Sequence, residues 1–368
     1  MNSTAPRLWP WLPALRLDAW LLALLAVLMG VGLLVLYSAG EQDIGLVWRQ
    51  GVRLAVGLLV LLVAAHLPPR VLQVWAPWLF VLAVLMLAAT VVFGVGRGAQ
   101  RWLDLGLVRF QPSEAMKLAL PLMLATFMAR RPLPPGWLDS LIALVLIALP
   151  VFLILIQPDL GTAVLVAASG LILLFLAGLR WRLIGFMALG LAAAMPLLWM
   201  NLHTYQQNRV LTFLNPERDP LGQGWNIIQS KIAVGSGGLG GKGWQASSQS
   251  HLEFLPEPHT DFIFSVLAEE FGFIGVVGVL VLYAAIILRS LYMASRCRDI
   301  FGRLLAGSVA VMFFLYAAVN IAMVSGLLPV VGVPLPLVSY GGTSAVTLLA
   351  GFGLIMGLHS RRRFMDRA

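Results

Sequence analysis

Charged residues are scarce in this chain. Of its 368 residues only 11% are charged, whereas 60% are hydrophobic, and the mean hydropathy is +0.90. Soluble domains carry about 25% charged residues, which they need to coat an apolar core. This composition therefore excludes an ordinary soluble globular protein and indicates that lipid is the solvent for most of the chain.

Cysteine and clustered metal ligands are also nearly absent. Cys297 is the single cysteine, which excludes a disulfide framework and a metal site built from several cysteines. The histidines and carboxylates show no spacing typical of a preformed metal cage. We therefore expect no resident cofactor. The sequence leaves open whether a divalent cation binds together with a substrate.

Long apolar runs are abundant. A helix needs about 20 mostly apolar residues to cross a bilayer, and the sequence contains ten such candidates. The first run, Ala19 to Ser38, is followed by no small-residue cleavage pattern, so it reads as a spanning helix and not as a removed signal peptide. The candidates lie roughly at 18–38, 48–66, 70–95, 113–129, 139–157, 159–178, 183–201, 261–288, 303–326 and 340–359. The sequence predicts an all-α polytopic membrane protein.

The basic residues give the expected orientation. With the N-terminus in the cytoplasm, the inner side carries 15 of the 25 basic residues and four acids, and the outer half carries ten basic residues and 12 acids. This asymmetry follows the positive-inside rule. Ten spans then place both termini in the cytoplasm, and the protein in the cytoplasmic membrane.

The unusual sequence lies on the predicted outer side. Three segments there are long and rich in Gly, Pro and polar residues: Gly94–Pro112, the region from Asn201 to Thr260, and Gly326–Gly342. No soluble domain or convincing repeat is visible. We expect one membrane domain over residues 1–368, with a large outer loop at about 202–260 between the seventh and eighth spans.

The fourth predicted span opens with polar and charged residues. Ser113 is a plausible N-cap after Pro112. Glu114 and Lys117 are three residues apart, so they share a helix face and can pair. Two interpretations stay open. The pair is either a salt bridge that only lowers the cost of burying both charges in the membrane, or it positions the lysine to bind a phosphate.

The eighth predicted span carries three carboxylates. Asp261 lies at its N-terminus, where it is either a plain N-cap or an ionised functional group. Glu269 and Glu270 follow within the apolar run and need partners that the sequence does not name. His259 is either a proton shuttle or an ordinary hydrogen-bonding group.

Two outer segments suggest anion binding. Residues 221–243 are dense in glycine and contain Lys231 and Lys242, so the backbone could present N–H groups to a phosphate or be a surface loop. The spacing is not that of a Walker A motif. Arg101 could bind a pyrophosphate through two hydrogen bonds, and Trp102 could stack on a sugar. Alternatively, the two residues form an anchor pair at the membrane interface.

Taken together, the motifs resemble the SEDS family (shape, elongation, division and sporulation proteins). Pro258 and the region Val331–Leu337 favour its elongation branch over its division branch. The matching segments, in family order over most of the chain, are GAQRWLDLG, QPSEAMKLAL, QPDLGTA, DPLGQGWNIIQSKIAVGSGGLGGKG, LEFLPEPHTDFIFSVLAEEFGFIG and GLLPVVGVPLPLVSYGGTS.

The resemblance implies a peptidoglycan glycosyltransferase that polymerises lipid II and works with a class B penicillin-binding protein. It implies that Asp261 is the catalytic residue, either as the base or as the group that orients Lys117. The candidate substrate-binding residues are Arg101, Trp102, Gln111, Glu114, Lys117, Asp159, Lys231, Lys242 and His259.

Two other functional classes compete with this hypothesis. A lipid II flippase would use intramembrane charges as a gate, and a scaffold would only position the penicillin-binding protein. Transporters often show inverted repeats and interrupted helices near the bilayer centre. Here the Gly/Pro breaks and polar motifs concentrate on one face, which favours an enzyme.

Overall fold

The computed structural model describes residues 16–95, 101–104, 106, 109–201, 204–215, 223–247 and 258–365. Parts of three quoted motifs, around residues 96–100, 216–222 and 248–257, lie outside the described residues. The helices are α1 (Ala19–Ala39), α2 (Ile44–His66), α3 (Pro69–Phe93), α4 (Pro112–Ala129), α5 (Trp137–Ile156), α6 (Leu160–Leu176), α7 (Trp181–Asn201), α8 (Thr204–Leu214), α9 (Gln223–Ser236), α10 (Ile263–Ser295), α11 (Ile300–Val324) and α12 (Gly342–Met365). Strands β1 (Leu103–Asp104) and β2 (Arg109–Phe110) form a small antiparallel hairpin.

The ten predicted spans correspond in order to ten of these helices, which confirms the all-α membrane class. Seven are long and apolar enough to cross a membrane by length and composition: α1, α2, α3, α5, α10, α11 and α12. Helices α6 and α7 contribute shorter apolar stretches, and α4 carries two charges. Within the predicted outer loop, the described residues form two further helices, α8 and α9, and the sequence of α8 contains no Gly or Pro that would break it.

Both ends of the described chain lie on one face of the helical bundle. Arg16, before α1, and Arg361, near the end of α12, each donate to the backbone carbonyl of His66 at 3.2 Å. Asp18 caps α1 and accepts two hydrogen bonds from Arg289 near the end of α10. These contacts confirm an even number of crossings between the two ends.

Helices α2 and α12 pack closely through small residues. A Cβ added to Gly353 or Gly357 would overlap the backbone carbonyl of Leu61 or Ala65 on α2. Small residues let helix backbones approach in lipid, where packing replaces the hydrophobic effect as the source of stability. Helices α4 and α11 are covered by neighbours and form the centre of the bundle, where the polar side chains gather.

Helix α10 is broken at Gly272, whose φ of 63° and ψ of −162° are not helical. The segment from Gly237 to Gly243 fills this break. The N–H groups of Lys242 and Gly243 donate to the carbonyls of Glu269 and Glu270, and those of Phe273 and Ile274 donate to Gly238 and Leu239. The break is therefore stabilised by backbone hydrogen bonds on both sides.

Candidate active site at one end of the bundle

Asp159 forms one side of the site. It ends the tight Gln157–Asp159 hairpin between α5 and α6 and caps α6 through the backbone N–H and hydroxyl of Thr162, at 3.2 and 2.9 Å. Arg101 donates to the carbonyl of Pro158 at 2.9 Å, and its Nε lies 3.6 Å from the Asp159 carboxylate. The predicted hairpin is confirmed, and it anchors the arginine of the first outer motif.

Trp102 lies beside this arginine in a short bridge. Its backbone exchanges two hydrogen bonds with Val95, at 2.8 and 3.2 Å, so the segment folds back against the end of α3. The bridge places Trp102 next to the Asp159 hairpin. Its contact with a sugar stays a prediction.

Glu114 and Lys117 form the buried charged pair of α4. Their Oε1 and Nζ atoms are 2.6 Å apart and both side chains are less than 10% exposed, which confirms the predicted pairing. The Lys117 ammonium also lies 4.5 Å from the ring centroid of Tyr316. Among the described residues, the second oxygen of Glu114 and the Tyr316 hydroxyl are buried without a hydrogen-bond partner. A small cavity of about 20 Å³ lies against these three side chains.

The predicted N-cap of this helix is wrong. Helix α4 begins at Pro112, so Gln111 is the N-cap, with an extended backbone and no side-chain capping bond, and Ser113 lies inside the first turn. Proline at the first helical position needs no N–H partner and has its φ already set, which moves the start one residue earlier than Ser113. Gln111 therefore lies between the β1–β2 hairpin and the first turn of α4, which carries Glu114.

Asp261 belongs to a turn that precedes α10. The helix begins at Ile263 and its N-cap is Phe262, without a side-chain capping bond, so Asp261 is not the N-cap. The Asp261 backbone carbonyl accepts a 2.9 Å hydrogen bond from Asn320 of α11. A Cβ added to Gly332 would lie 3.4 Å from Oδ2 of Asp261, so the Asp261 carboxylate lies beside Gly332.

Residues 325–341 join the two sides of the site. A Cβ on Gly161, next to the Asp159 hairpin, would lie 2.7 Å from the carbonyl of Val331. The next residue, Gly332, contacts the Asp261 carboxylate, and the one after, Val333, accepts a 2.7 Å hydrogen bond from Asn320. Three consecutive residues thus connect α6, the Asp261 turn and α11.

Helix α11 contacts both Lys117 and the turn that carries Asp261. Tyr316 contacts Lys117, and Asn320, four residues later, holds the backbone of Asp261. Residues four apart lie on the same helix face, with a rise of about 6 Å. The backbone of Asp261 and the ammonium of Lys117 therefore contact the same face of α11, at residues one turn apart.

His259 is packed against Tyr340, which in turn contacts Arg53. Its carbonyl accepts a hydrogen bond from the Tyr340 N–H at 2.9 Å, and the two rings meet edge to face with centroids 6.0 Å apart. The guanidinium of Arg53 lies 4.4 Å from the Tyr340 ring centroid. Sequence reasoning missed Arg53, although a charged residue inside a predicted span was the available signal.

Tyr316 and Asn320 were missed as well. The available signal was a polar pair at i and i+4 in the otherwise apolar stretch 309–324. Their importance comes from contacts with α4 and the Asp261 turn, which are more than fifty positions away in sequence.

The structure places Lys242 away from the Glu114–Lys117 pair and beside the break in α10. Its ammonium is 2.5 Å from Glu269, which also accepts from the Ser247 hydroxyl at 2.6 Å. Glu270 accepts from the Ser38 hydroxyl and from the Gln245 N–H. These are the partners that the sequence could not name for the two buried glutamates.

Lys231 lies at the start of the 325–341 segment, where a Cβ on Gly326 would overlap the lysine side chain. The glycine-dense segment at 237–243 directs several N–H groups to the backbone of α10, so those groups do not form an anion cradle. Among the described residues, no three potential metal ligands of the His, Cys, Asp and Glu types converge.

Known proteins of one family match this chain over nearly its whole length. The family model for FtsW, RodA and SpoVE cell cycle proteins matches residues 14–364. The chain is 53% identical over 355 residues to the peptidoglycan glycosyltransferase MrdB of Escherichia coli K12, covering 96% of both chains. It is 36% identical to a probable peptidoglycan glycosyltransferase FtsW of Trichlorobacter lovleyi, covering 93% of this chain and 92% of the relative.

Two solved structures share the fold. One is a chain from a peptidoglycan synthase complex that coordinates polymerization and crosslinking, with a TM-score of 0.81 and 38% identity, covering 95% of this chain and 99% of that one. The other is the rod shape determining protein RodA of Thermus thermophilus, with a TM-score of 0.71 and 34% identity, covering 94% of this chain and 97% of that one. The chain belongs to the FtsW, RodA and SpoVE family, which is the SEDS family that its motifs resemble.

Proposed function

We propose that this chain is a peptidoglycan glycosyltransferase that polymerises lipid II into β-1,4-linked glycan strands during cell elongation. The relatives named for this activity match over nearly the full chain. The observation that carries the proposal is that one face of α11 contacts Lys117 through Tyr316 and the backbone of Asp261 through Asn320. Residue 331 also approaches Gly161, next to the hairpin that holds Arg101.

In this mechanism Asp261 is the general base. It removes the proton from the 4-hydroxyl of the acceptor GlcNAc as that oxygen attacks C1 of the donor MurNAc. The bond from C1 to the pyrophosphate breaks, the configuration at C1 inverts, and undecaprenyl pyrophosphate leaves.

Lys117 and Arg101 stabilise the departing pyrophosphate. The ammonium of Lys117 is held by Glu114 on one side and the Tyr316 ring on another, so its position is set before substrate binds. Preorganised positive charge in a site of low dielectric constant stabilises developing anionic charge without a cost for reorganisation. Arg101 is fixed by the hairpin carbonyl of Pro158 in the same way.

The other candidate residues are proposed to contact the sugars and peptide of the substrate. Trp102, Gln111 and His259 border the segments that hold Arg101, Lys117 and Asp261. Lys231 and Lys242 lie farther along the same face, at the 325–341 segment and at the α10 break. We expect weaker effects from changes at these two lysines than from changes at Lys117.

The site-bearing face is proposed to be extracytoplasmic. The opposite face carries the excess of arginine, which favours a cytoplasmic location for it and for both termini.

The proposed partner is a class B penicillin-binding protein, supported by the similarity to a chain of a complex that coordinates polymerization and crosslinking. Any divalent cation would enter with the pyrophosphate.

The direct test is polymerisation of lipid II by the purified chain with its partner. We expect Asp261→Asn to lower the rate by about 10² to 10⁴-fold, the usual contribution of a general base. Asp43→Asn is the matched control, since Asp43 is an exposed acid on the same face. A normal rate for Asp261→Asn would remove the proposed role, and loss of the partner complex in that variant would point to a scaffold.

A pH–rate profile distinguishes the two duties of Asp261. A general base predicts an acidic limb that follows the titration of one carboxylate and vanishes in Asp261→Asn. If Asp261 only orients Lys117, the residual activity of Asp261→Asn keeps the wild-type acidic limb.

The break in α10 also favours the flippase alternative, because transporters use discontinuous helices. The backbone groups at this break are paired with residues 238–243, so the break is filled by protein. Vesicles loaded with labelled lipid II separate the two functions: polymer supports the transferase, and translocation without polymer supports a flippase.

A further inference from the structure

A second cavity opens on the face of the bundle opposite Asp159. It has a volume of about 240 Å³ and lies between the first turns of α5 and α7, with Trp137, Arg180, Arg182 and Phe186 among its lining residues. Helix α5 starts at this cavity and ends at the Asp159 hairpin, so the cavity and the candidate active site are separated by the length of a spanning helix. The proposed glycosyl transfer uses none of its residues.

The cavity is electropositive. Residues 131–140 and 177–183 contain three arginines and one acid, Asp139. Asp139 is already paired with Arg131 at 3.5 Å and is mostly buried, whereas Arg180 and Arg182 are exposed. Helix α5 also starts without a side-chain cap, which leaves the positive end of its dipole towards this region. An anion is the ligand that these groups favour.

The walls of the cavity are apolar and aromatic. Trp137 and Phe186 are 68% and 64% exposed, and Leu183 closes the wall from inside. Aromatic side chains at the end of a spanning helix are typical of the level of the lipid headgroups. A ligand that satisfies both the arginines and these walls has an anionic head joined to an apolar tail.

We propose that this cavity binds the headgroup of an anionic phospholipid from the leaflet on this face. Arg180 and Arg182 contact the phosphate through their guanidinium groups, which match phosphate oxygens in a bidentate geometry. Trp137 and Phe186 contact the first segments of the acyl chains. Basic pockets between spanning helices are suited to such headgroups.

The test uses the purified full-length chain in detergent, titrated with phosphatidylglycerol or phosphatidylcholine, with bound lipid counted by native mass spectrometry. We expect one tightly bound phosphatidylglycerol and no equivalent phosphatidylcholine. Arg180→Gln combined with Arg182→Gln weakens this binding by about tenfold or more. Arg180→Lys with Arg182→Lys gives an intermediate loss, since charge is kept and the bidentate geometry is lost.

The matched control is Arg70→Gln combined with Arg130→Gln. Both arginines are exposed on the same face and outside the cavity, so this variant loses the same charge. Equal loss in the control, or wild-type affinity in the cavity variant, would show general attraction to a basic surface and overturn the proposal. Displacement of the lipid by inorganic phosphate at similar concentration would overturn the lipid as ligand. The readout is binding, so it stands or falls separately from the glycosyl transfer.

Discussion

At the scale of single residues, the site depends on side chains that position other residues of the site. Asn320 never needs to touch substrate, yet its amide donates both to the carbonyl of Asp261 and to that of Val333. It therefore holds the turn and the 325–341 segment on one helix. Tyr316 similarly limits where the ammonium of Lys117 can lie.

We expect Asn320→Ala to lower kcat by at least about tenfold, because two buried hydrogen bonds of roughly 1 kcal/mol each hold the Asp261 backbone. The acidic limb of the pH–rate profile should remain, since the carboxylate is still present. Ser308→Ala on the same helix is the control, because Ser308 bonds only to Leu305 within its own helix. Unchanged kcat in Asn320→Ala would contradict the positioning role.

At the scale of secondary-structure elements, two features hold α10 in place. One is the glycine segment that fills its break. A Cβ at Gly241 would overlap the carbonyl of Glu270, and its φ of +80° is unfavourable for other residues. Gly240 is adjacent and has open space at its Cβ position. The other feature is the Asp18–Arg289 pair, which ties the start of α1 to the far end of α10.

Gly241→Ala should lower the thermal unfolding midpoint and the yield of folded protein, since both the backbone conformation and the contact with Glu270 are disturbed. Gly240→Ala should behave as wild type. The midpoint in detergent, followed by intrinsic tryptophan fluorescence, measures the difference. Equal midpoints for the two variants would show that the packing at the break is not needed for stability.

The Asp18 pair should make stability depend on pH. Burial opposes ionisation of Asp18, but hydrogen bonds from Arg289 and from the Leu21 N–H outweigh it, so its pKa lies below the ordinary value. A lowered pKa stabilises the fold fully above the unfolded-state value of about 3.9 and less as pH falls through the folded-state value. Asp18→Asn should cost about 1–3 kcal/mol at neutral pH.

The same variant should also lose part of the stability change below about pH 4, where the carboxyl group of Asp18 becomes protonated first in the unfolded chain and, at lower pH, in the folded protein. Asp43→Asn, at an exposed pair, is again the control. Parallel stability curves for Asp18→Asn and wild type across acidic pH would contradict the assigned cause.

At the scale of the whole molecule, the face that carries Asp261 and the face that carries the arginines are opposite ends of one bundle. Labelling of introduced cysteines can distinguish these two ends, because the native Cys297 should react little. Burial raises the pKa of Cys297 to about 12, and thiolate is the reactive form. Two exposed positions serve as reporters: Leu239 on the site-bearing side and Arg130 on the other.

We expect a membrane-impermeant maleimide to label Leu239→Cys in intact spheroplasts and Arg130→Cys only after permeabilisation. The positive-inside distribution is the physical reason. Labelling in the reverse order would contradict the proposed orientation and place the candidate site in the cytoplasm.

The spans, their order and the pairing of Glu114 with Lys117 followed from local patterns. About 20 apolar residues must form a helix in lipid, and residues three apart on a helix must share a face. The partners of Glu269 and the bridging role of residues 331–333 could not be predicted in this way. They depend on contacts between segments that are far apart in the chain.

The sequence by itself thus determined the membrane class, the ten helices and the family, because hydropathy, charge and motif order are local properties. Only the tertiary structure decided that Asp261 is not a helix cap, that Lys242 pairs with Glu269, and that α11 contacts both Lys117 and the Asp261 turn. The physical reason is that helix packing, and not helix formation, chooses which polar side chains meet in a bundle whose exterior is apolar on most sides.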